Sequence, residues 1–447
     1  MPDPSPPNPV LRTSMPVGKI FSRSLYWKML QFATSFLLNI LLTRIFQSVI
    51  SAEFYALVYL WSLGISFFTL GLDISLSYYL SRKQLSAAMA RRIIFFIVLL
   101  ALLVCLSLIC LFYQPSRYPH LDLTRLLLYS GFNIAGGLLT ALSGTLFTAY
   151  GQNYLPGKAA FFINVILASL CLALQYLYTD AALVENLFGV YFLFSFLQGV
   201  FLFFLSIRLY PAGSHRPAGA QPARLADILR FSSSAFIINF IFFTGARLTL
   251  YLLPYRVPPA ARGNYIQAYK IVEYMGLVVS VLYYPFIALV AGEGKEKMKD
   301  TVLFLVRISN TLVLLSGIFI LATGWWLFPL IFGKSFDPMY GIFMGFLPGL
   351  FAVCSSTFFT AYFFGSGQLK VNFISACIQF GGTLLFFFLF VKDGHAIGAA
   401  FAFSLAVWLS LAYECRVFAA SVSFSPGDLL LLRSADRMRI RAFLRGQ

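Results

Sequence analysis

Residues 126–157 read LLLYSGFNIAGGLLTALSGTLFTAYGQNYLPG and contain no Asp, Glu, Lys or Arg. About 20 apolar residues in an α-helix cross the ~30 Å hydrocarbon core of a bilayer, so this stretch is long enough to span a membrane. Seven further charge-free windows of 20 residues or longer occur at 93–116, 159–179, 186–207, 308–333, 338–369, 371–391 and 394–413. Four slightly shorter windows, near 29–43, 54–72, 231–246 and 274–292, have one or two charges at their edges or inside and bring the predicted membrane helices to twelve.

The composition excludes a soluble protein. Of the 447 residues, 60% are apolar and only 11% are charged, whereas a soluble domain has about 25% charged residues. Inside hydrocarbon, backbone polar groups must be satisfied within the chain, and the helix is the element that does so segment by segment. The sequence therefore predicts an all-α polytopic membrane protein.

A hexapeptide occurs twice, as TLFTAY at 145–150 and as TFFTAY at 357–362, 212 positions apart. The charge-free windows around the two copies, 126–157 and 338–369, are displaced by the same 212 positions. The windows that follow them keep this displacement. We interpret this as an internal duplication with six helices in each half. Since six is even, both halves begin on the same side of the membrane, which predicts a parallel repeat of two six-helix lobes.

The duplication divides the chain into five predicted parts. They are a disordered cytoplasmic amino terminus (1–23), an N-lobe with helices 1–6 (24–207), a cytoplasmic linker (208–226), a C-lobe with helices 7–12 (227–420) and a basic cytoplasmic tail (421–447). In the tail, Ser425 is a suitable N-cap, and Arg433, Arg437, Arg441 and Arg445 repeat every four residues. This spacing predicts an interfacial helix on an anionic inner leaflet.

The distribution of Lys and Arg predicts the orientation. With a cytoplasmic amino terminus, the inner segments hold 22 Lys and Arg and the outer segments hold at most seven. Cytoplasmic loops carry the excess of basic residues, so we expect both termini on the cytoplasmic side of the inner cell membrane. The net charge of +17 then suits membrane lipids as a partner rather than nucleic acid.

The loops favour a transporter over an enzyme. The outer loops are short, and their acidic residues are not paired at a spacing that suits acid–base catalysis. The three histidines, His120, His215 and His395, lie in separate loops, and no glycine-rich phosphate loop occurs. We therefore expect no catalytic residues, no metal and no cofactor. A membrane glycosyltransferase or polysaccharide polymerase remains a less favoured alternative.

Charged residues within the predicted helices point to a site, because a charge in hydrocarbon is costly and normally faces a cavity or a partner. The candidate substrate-binding residues are Arg44, Arg247, Gln267, Lys270 and Tyr274, and the candidate ion-coupling residues are Asp73 and Glu273. Gln267, Lys270 and Tyr274 share one helical face. Arg307, near a helix end, is expected to extend its charge towards the membrane surface.

Two of these assignments have structural alternatives. Lys270 and Glu273 are three residues apart and could simply neutralise each other. Asp73 could pack against a polar neighbour instead of binding an ion. Arg247 has no close acidic neighbour in the sequence.

Several segments resemble a known family. They are SFLLNILLTRIFQSVISAEFYALVYL (35–60), LGLDISLSYYLSR (70–82), ILRFSSSAFIINFIFF (228–243), NYIQAYKIVEYMGL (264–277), LFPLIFGKSF (327–336) and GHAIGAAFAFSLA (394–406). In this order they are similar to bacterial O-antigen and exopolysaccharide flippases of the multidrug/oligosaccharidyl-lipid/polysaccharide exporter superfamily. The resemblance implies two six-helix lobes enclosing a cavity lined mainly by helices 1, 2, 7 and 8. It also implies export of undecaprenyl-pyrophosphate-linked oligosaccharides by alternating access.

The sequence departs from this family at two positions. Tyr55 follows Phe54 where the family commonly has Gly, and Arg247 stands where an acid is frequent. The implied partners are the lipid-linked glycan, membrane lipids, and a polysaccharide polymerase and glycosyltransferases of the same pathway. A multidrug antiporter of the same superfamily is the alternative, but it would need acidic groups for organic cations, whereas the predicted cavity is net basic.

Overall fold

The computed structural model describes residues 17–69, 71–82, 84–114, 121–177, 181–211, 224–280, 295–392 and 394–420, together with positions 283, 286, 287, 290, 429 and 436. Within these residues the protein is nearly all helical. Most of the predicted disordered terminus (1–23) lies outside the described residues. The predicted interfacial helix at 425–447 also lies outside them, apart from Leu429 and Asp436.

The described part of the chain contains twelve α-helices. They are α1 Val17–Thr69, α2 Leu72–Ser81, α3 Ala87–Phe112, α4 Leu123–Ala149, α5 Tyr154–Leu177, α6 Ala181–Leu209, α7 Leu225–Leu252, α8 Pro259–Ser280, α9 Lys295–Phe332, α10 Met339–Gly365, α11 Leu369–Phe390 and α12 Ile397–Ala419. Ten of them are long and apolar enough to cross a membrane. The other two are α2, which has ten residues, and α8, which carries Arg262, Lys270 and Glu273.

Helix α1 joins two predicted membrane helices across a kink. Gln47, with φ 55° and ψ −174°, interrupts the helical backbone between the predicted windows 29–43 and 54–72. Helix α8 approaches this kink so closely that a Cβ atom on Gly263 would collide with the carbonyl oxygen of Ser48. Glycine at 263 therefore permits the backbone contact between α1 and α8.

Large apolar side chains are exposed along several of the long helices. On α3 they include Phe95, Phe96, Leu99, Leu100 and Leu103. Soluble monomers rarely expose contiguous apolar patches of this kind, whereas a lipid-facing helix requires them. The prediction of an all-α polytopic membrane protein is confirmed.

The chain forms two compact units. Unit 1 comprises Met1–Asn39 and Phe67–Ala235, and unit 2 comprises Ile40–Ser66 and Phe236–Gln447. The second half of α1 thus groups with the carboxy-terminal helices, although the sequence places it within the predicted N-lobe. The predicted boundaries 24–207 and 227–420 remain predictions.

In unit 1, α4 is the central helix and packs against α2, α3 and α6. Its contact with α6 is close, since a Cβ atom on Gly136 would overlap the backbone of Ser195. Small residues allow membrane helices to approach in this way. At the end of α4, the rings of Phe147 and Tyr150 pack on Tyr210, with centroids 6.0 Å and 4.1 Å apart.

In unit 2, α10 packs against α8, α9 and α12, and α12 also packs against α11. A Cβ atom on Gly349 of α10 would overlap Ser404 of α12, so a glycine again permits the close approach. At the end of α10, the rings of Phe359 and Tyr362 pack on Phe418, with centroids 5.1 Å and 5.2 Å apart.

The two hexapeptides therefore occupy equivalent places in their units. In each, the Phe and the Tyr of the motif pack on one aromatic ring two helices later in the chain. This internal equivalence supports the duplication inferred from the sequence.

The prediction for Arg307 was wrong. Its guanidinium donates two hydrogen bonds to Asp436, from Nε at 2.6 Å and from Nη2 at 2.8 Å. Both side chains are buried, at 7% and 2% exposure. Nearby on α9, Asn310 donates to the carbonyl oxygen of Leu429 at 2.8 Å. An acidic partner 129 residues further along the chain cannot be identified from sequence spacing, so the charge is compensated inside unit 2 rather than at the membrane surface.

Candidate functional site

Unit 2 contains a cavity of about 710 Å³, a size that suits a small ligand or headgroup. Its walls come from α7, α8, α10, α11 and α12, with Tyr283. The polar lining residues are Asn239, Arg247, Tyr269, Lys270, Glu273, Tyr274, Tyr283, Ser356, Thr357, Thr360 and Gln379. Four of the predicted site residues, Arg247, Lys270, Glu273 and Tyr274, are among them.

An ion pair joins α7 and α8 at the cavity wall. Nη2 of Arg247 donates to Oε1 of Glu273 at 2.6 Å, and the hydroxyl of Tyr59 donates to Oε2 at 2.8 Å. The two charged side chains are 24% and 25% exposed. Both carboxylate oxygens therefore have a donor. Glu273 is less suited to bind a transported cation than the sequence suggests, because a new cation would have to displace Arg247.

The guanidinium of Arg247 also packs on aromatic faces. Its central carbon lies 4.1 Å from the ring centroid of Phe243 and 6.0 Å from that of Tyr59. Arg favours such stacking in addition to paired hydrogen bonds. The arginine is thus held by a carboxylate on α8, by a ring on its own helix and by a ring on α1, which fixes its orientation at the wall.

Lys270 lies over an aromatic ring as well. Its Nζ is 3.2 Å from the centroid of the Tyr55 ring, and Tyr55 is 2% exposed. A cation–π contact stabilises the ammonium group without neutralising it. Tyr55 is one of the two departures from the family pattern, and the structure gives it this contact. Lys270 thus places its amino group at the cavity wall, where an anion could approach it.

The remaining predicted site residues lie elsewhere. Gln267 is fully buried and is not part of the cavity wall, although Lys270 is on the same helix face. Arg44 donates from Nη2 to the carbonyl oxygen of Leu330 at 3.1 Å. Asp73 lies in the first turn of α2 in unit 1. Neither Arg44 nor Asp73 is among the residues that line this cavity.

Formal charges make the cavity net positive by one, since two cations and one carboxylate line it. Aromatic rings of Phe242, Phe243, Tyr269, Phe364 and Phe403 form much of the remaining wall. Such a lining can bind a headgroup that combines an anionic group with sugar or other ring faces.

Sequence reasoning also missed the buried carboxylate of Glu414 on α12. It is 0% exposed and accepts hydrogen bonds on Oε1 from Thr360 at 3.1 Å and Ser375 at 2.7 Å. The charge-free window 394–413 ends at this residue, so the sequence treats it as a boundary. The helix continues to Ala419, and the carboxylate lies inside it. A longer predicted helix would have identified it.

Known proteins were compared with the sequence and the fold. No protein-family profile matches the sequence, and no curated protein matches it significantly. Solved structures do match the fold. A MOP superfamily transporter from Pyrococcus furiosus, described as having a binding pocket of reverse polarity, matches with a TM-score of 0.65 and 15% identity, covering 96% of this chain and 97% of that chain.

Two other solved structures match over similar lengths. The lipid II flippase MurJ, in an inward closed conformation, has a TM-score of 0.65 and 13% identity, covering 92% of this chain and 89% of that chain. An inward-facing multidrug resistance MATE family transporter of the MOP superfamily has a TM-score of 0.63 and 14% identity, covering 90% and 98%. At these identities the likeness establishes the fold and not the substrate: the chain has the fold of MOP superfamily transporters.

Proposed function

We propose that this protein is a flippase that moves an undecaprenyl-pyrophosphate-linked oligosaccharide from the inner to the outer leaflet of the cell membrane, by alternating access, for surface polysaccharide synthesis. The observation that carries the proposal is the net positive, aromatic cavity formed around Arg247, Lys270 and Glu273. The fold of the chain is shared with transporters, one of which is the lipid II flippase MurJ.

The charge of the cavity favours an anionic headgroup. Lys270 contributes a positive charge held over the Tyr55 ring, and Arg247 offers further N–H donors beside the one that binds Glu273. The pyrophosphate of the substrate is the matching anion. Outward movement of an anion is itself favoured by an inside-negative potential, by ~2.3 kcal/mol per charge per 100 mV.

The aromatic rings of the cavity wall favour a sugar as the second part of the substrate headgroup, because such rings present apolar faces together with polar edges. The polyprenyl chain would stay in lipid, so a cavity of about 710 Å³ need hold only phosphate and the nearest sugars. Adjacent polysaccharide polymerase and glycosyltransferase activities would use and supply this substrate.

A multidrug antiporter is the second candidate, since a MATE family transporter shares the fold and the cavity contains a carboxylate, Glu273. The hydrogen bonds of Glu273 with Arg247 and Tyr59 count against this candidate. An organic cation needs a carboxylate that is not already neutralised.

Transport assays with charge variants test the proposal. In proteoliposomes loaded with an undecaprenyl-pyrophosphate-linked oligosaccharide, we expect Lys270→Ala to lower the rate of transfer between leaflets at least about tenfold, the loss that 1.4 kcal/mol of binding produces. Arg247→Lys should keep part of the rate and Arg247→Ala very little, because lysine supplies a charge without the guanidinium fork. Lys392→Ala, which removes an exposed cation, is the matched control and should transport normally.

Full transfer by both Arg247→Ala and Lys270→Ala at normal abundance in the membrane would refute the flippase assignment. Efflux of a cationic dye that is unaffected by Lys270→Ala but lost in Glu273→Gln would instead establish the antiporter.

A further inference from the structure

Glu414 is surrounded by hydroxyl groups rather than by cations. Its Oε1 accepts from Thr360 of α10 and Ser375 of α11. The hydroxyl oxygen of Ser410, one turn earlier on α12, lies 2.6 Å from that of Ser375. All of these residues are buried. Three helices therefore contribute to a polar cluster around one buried carboxylate.

Two acceptor atoms of this cluster have no hydrogen-bond donor among the described residues. They are Oε2 of Glu414 and Oδ1 of Asn372. Asn372 is connected to the same cluster, since its Nδ2 donates to the carbonyl oxygen of Thr360 at 3.1 Å. A buried carboxylate with one oxygen unsatisfied carries a large desolvation cost. A proton on Oε2 would remove the charge and convert that oxygen into a donor.

The titratable and charged groups nearby do not supply the missing charge. Helices α10 and α11 pack against α12. On them, Lys370 is exposed and Tyr362 packs on Phe418. On α12 itself, Arg416 is exposed and Cys415 is half-buried. Within the described residues none of these groups forms an ion pair with Glu414.

The cluster borders the cavity. Thr360 lines the cavity wall and also donates to Glu414, so one side chain connects the two sites. Ser356, one turn earlier on α10, lines the wall too and lies close to the carboxylate. A change in the charge of Glu414 would thus reach the substrate cavity through these hydroxyl groups.

The packing of the two hexapeptides allows Glu414 to be compared with a buried residue of unit 1. Phe418 and Tyr210 receive the two aromatic residues of their motifs in the same way. The residue four positions before Phe418 is Glu414, and the residue four positions before Tyr210 is Ser206, which is also fully buried. Unit 1 achieves the same helix packing with a serine. A charged residue at this place in unit 2 calls for another reason.

We propose that Glu414 is a proton-binding site whose neutralisation is coupled to the cavity through Thr360. The coupling rests on the transport function proposed above, whereas proton binding itself does not. A proton is favoured over a metal cation because both hydroxyl groups at Oε1 already donate to the carboxylate. Helices α10, α11 and α12 are also continuous here, whereas sodium sites in transporters typically use carbonyl groups of unwound helices.

Infrared spectroscopy and thermal unfolding of the purified full-length protein test the assignment without any transported substrate. Lowering the pH should give a protonated-carboxyl stretching band that Glu414→Gln lacks and that Asp300→Asn, which removes an exposed carboxylate on α9, retains. Wild-type protein should lose thermal stability as the pH rises, by about 2–4 °C, since an uncompensated buried charge then forms. Glu414→Gln should lose less, because its side chain stays neutral.

Ser375→Ala provides a second variant if Glu414→Gln does not fold. Removing a donor to the charged form should move the midpoint of the band to higher pH. The proposal fails if the wild-type band is unchanged in Glu414→Gln or if Ser375→Ala leaves its midpoint in place. It also fails if stability depends on sodium concentration at constant ionic strength and this dependence disappears in Glu414→Gln, since the bound cation is then sodium. Each of these three failures would leave glycan transport to be judged by the proteoliposome assay.

Discussion

Arg247 on α7 and Glu273 on α8, 26 positions apart in the chain, form an ion pair of 2.6 Å at the wall of the unit 2 cavity. The pair changes the role that each residue can have. The carboxylate of Glu273 already binds Arg247 and is therefore less suited to bind a transported cation, and Arg247 is oriented by its partner. Lys270 lines the same cavity and lies over the ring of Tyr55.

A double-mutant cycle should detect this pair. Arg247→Ala and Glu273→Ala should each lower the free energy of unfolding, because each leaves its partner half-buried and unpaired. Since the side chains are about a quarter exposed, we expect a coupling energy of about 1–2 kcal/mol. Denaturant or thermal unfolding in detergent measures it. Strictly additive losses would show that the pair contributes nothing in solution.

The Arg307–Asp436 pair should contribute more to stability than the Arg247–Glu273 pair, because both of its groups are buried and joined by two hydrogen bonds. Asp436→Asn should cost about 3–5 kcal/mol by leaving a buried guanidinium without its counter-charge. The thermal midpoint measures the loss, and Asp300→Asn, at an exposed site, serves as control.

Replacing both members of that pair with apolar residues, as Arg307→Met with Asp436→Leu, should recover most of the stability. An Asp436→Asn protein that unfolds at the wild-type temperature would indicate that Asp436 does not stay bound to α9.

At the kink in α1 we expect a substitution to raise the free energy of unfolding, whereas the substitutions above lower it. Gln47 has a positive φ with an extended ψ, a region that is almost restricted to glycine. Gln47→Gly should therefore stabilise the protein by about 1 kcal/mol. In a regular turn of the same helix, Gln31→Gly should destabilise it by about 1 kcal/mol. The thermal midpoints of the two variants test this prediction. Equal losses of thermal stability at both positions would mean that the backbone at position 47 is not strained.

Sequence patterns predicted the helices because membrane spans leave a one-dimensional signal. Long charge-free windows follow directly from the cost of charge in hydrocarbon, and the 212-residue displacement of TLFTAY and TFFTAY follows from the duplication. The cost of charge in hydrocarbon also explains why four of the candidate site residues line the cavity. Charged residues within predicted membrane helices usually face a cavity or a partner.

Pairing of those charges could not be predicted, since partners distant in the sequence are brought together only by the tertiary fold. Asp436 is 129 residues from Arg307, and Tyr59 is 214 residues from Glu273. Gln267 shares a helix face with Lys270 but is buried away from the cavity wall. Periodicity identifies the face of a helix but not what each turn of that face contacts. Glu414 was overlooked because a charge at the end of an apolar window resembles a helix boundary.

The orientation of the chain is the last prediction, and α9 is the best place to test it. Its 38 residues extend for roughly 57 Å at 1.5 Å per residue, so its two ends lie on opposite sides of a ~30 Å hydrocarbon core. The excess of basic residues predicts that the end near Lys299 is cytoplasmic and that Lys334, just beyond the other end, faces outward. In a background without the six native cysteines, Lys334→Cys should react with an impermeant thiol reagent on intact cells. Lys299→Cys should react only after the membrane is permeabilised, and Lys392→Cys, a second predicted outer position, should behave like Lys334→Cys. The reverse pattern at all three positions would invert the orientation, and under the proposed function the substrate would then be taken up from the opposite leaflet.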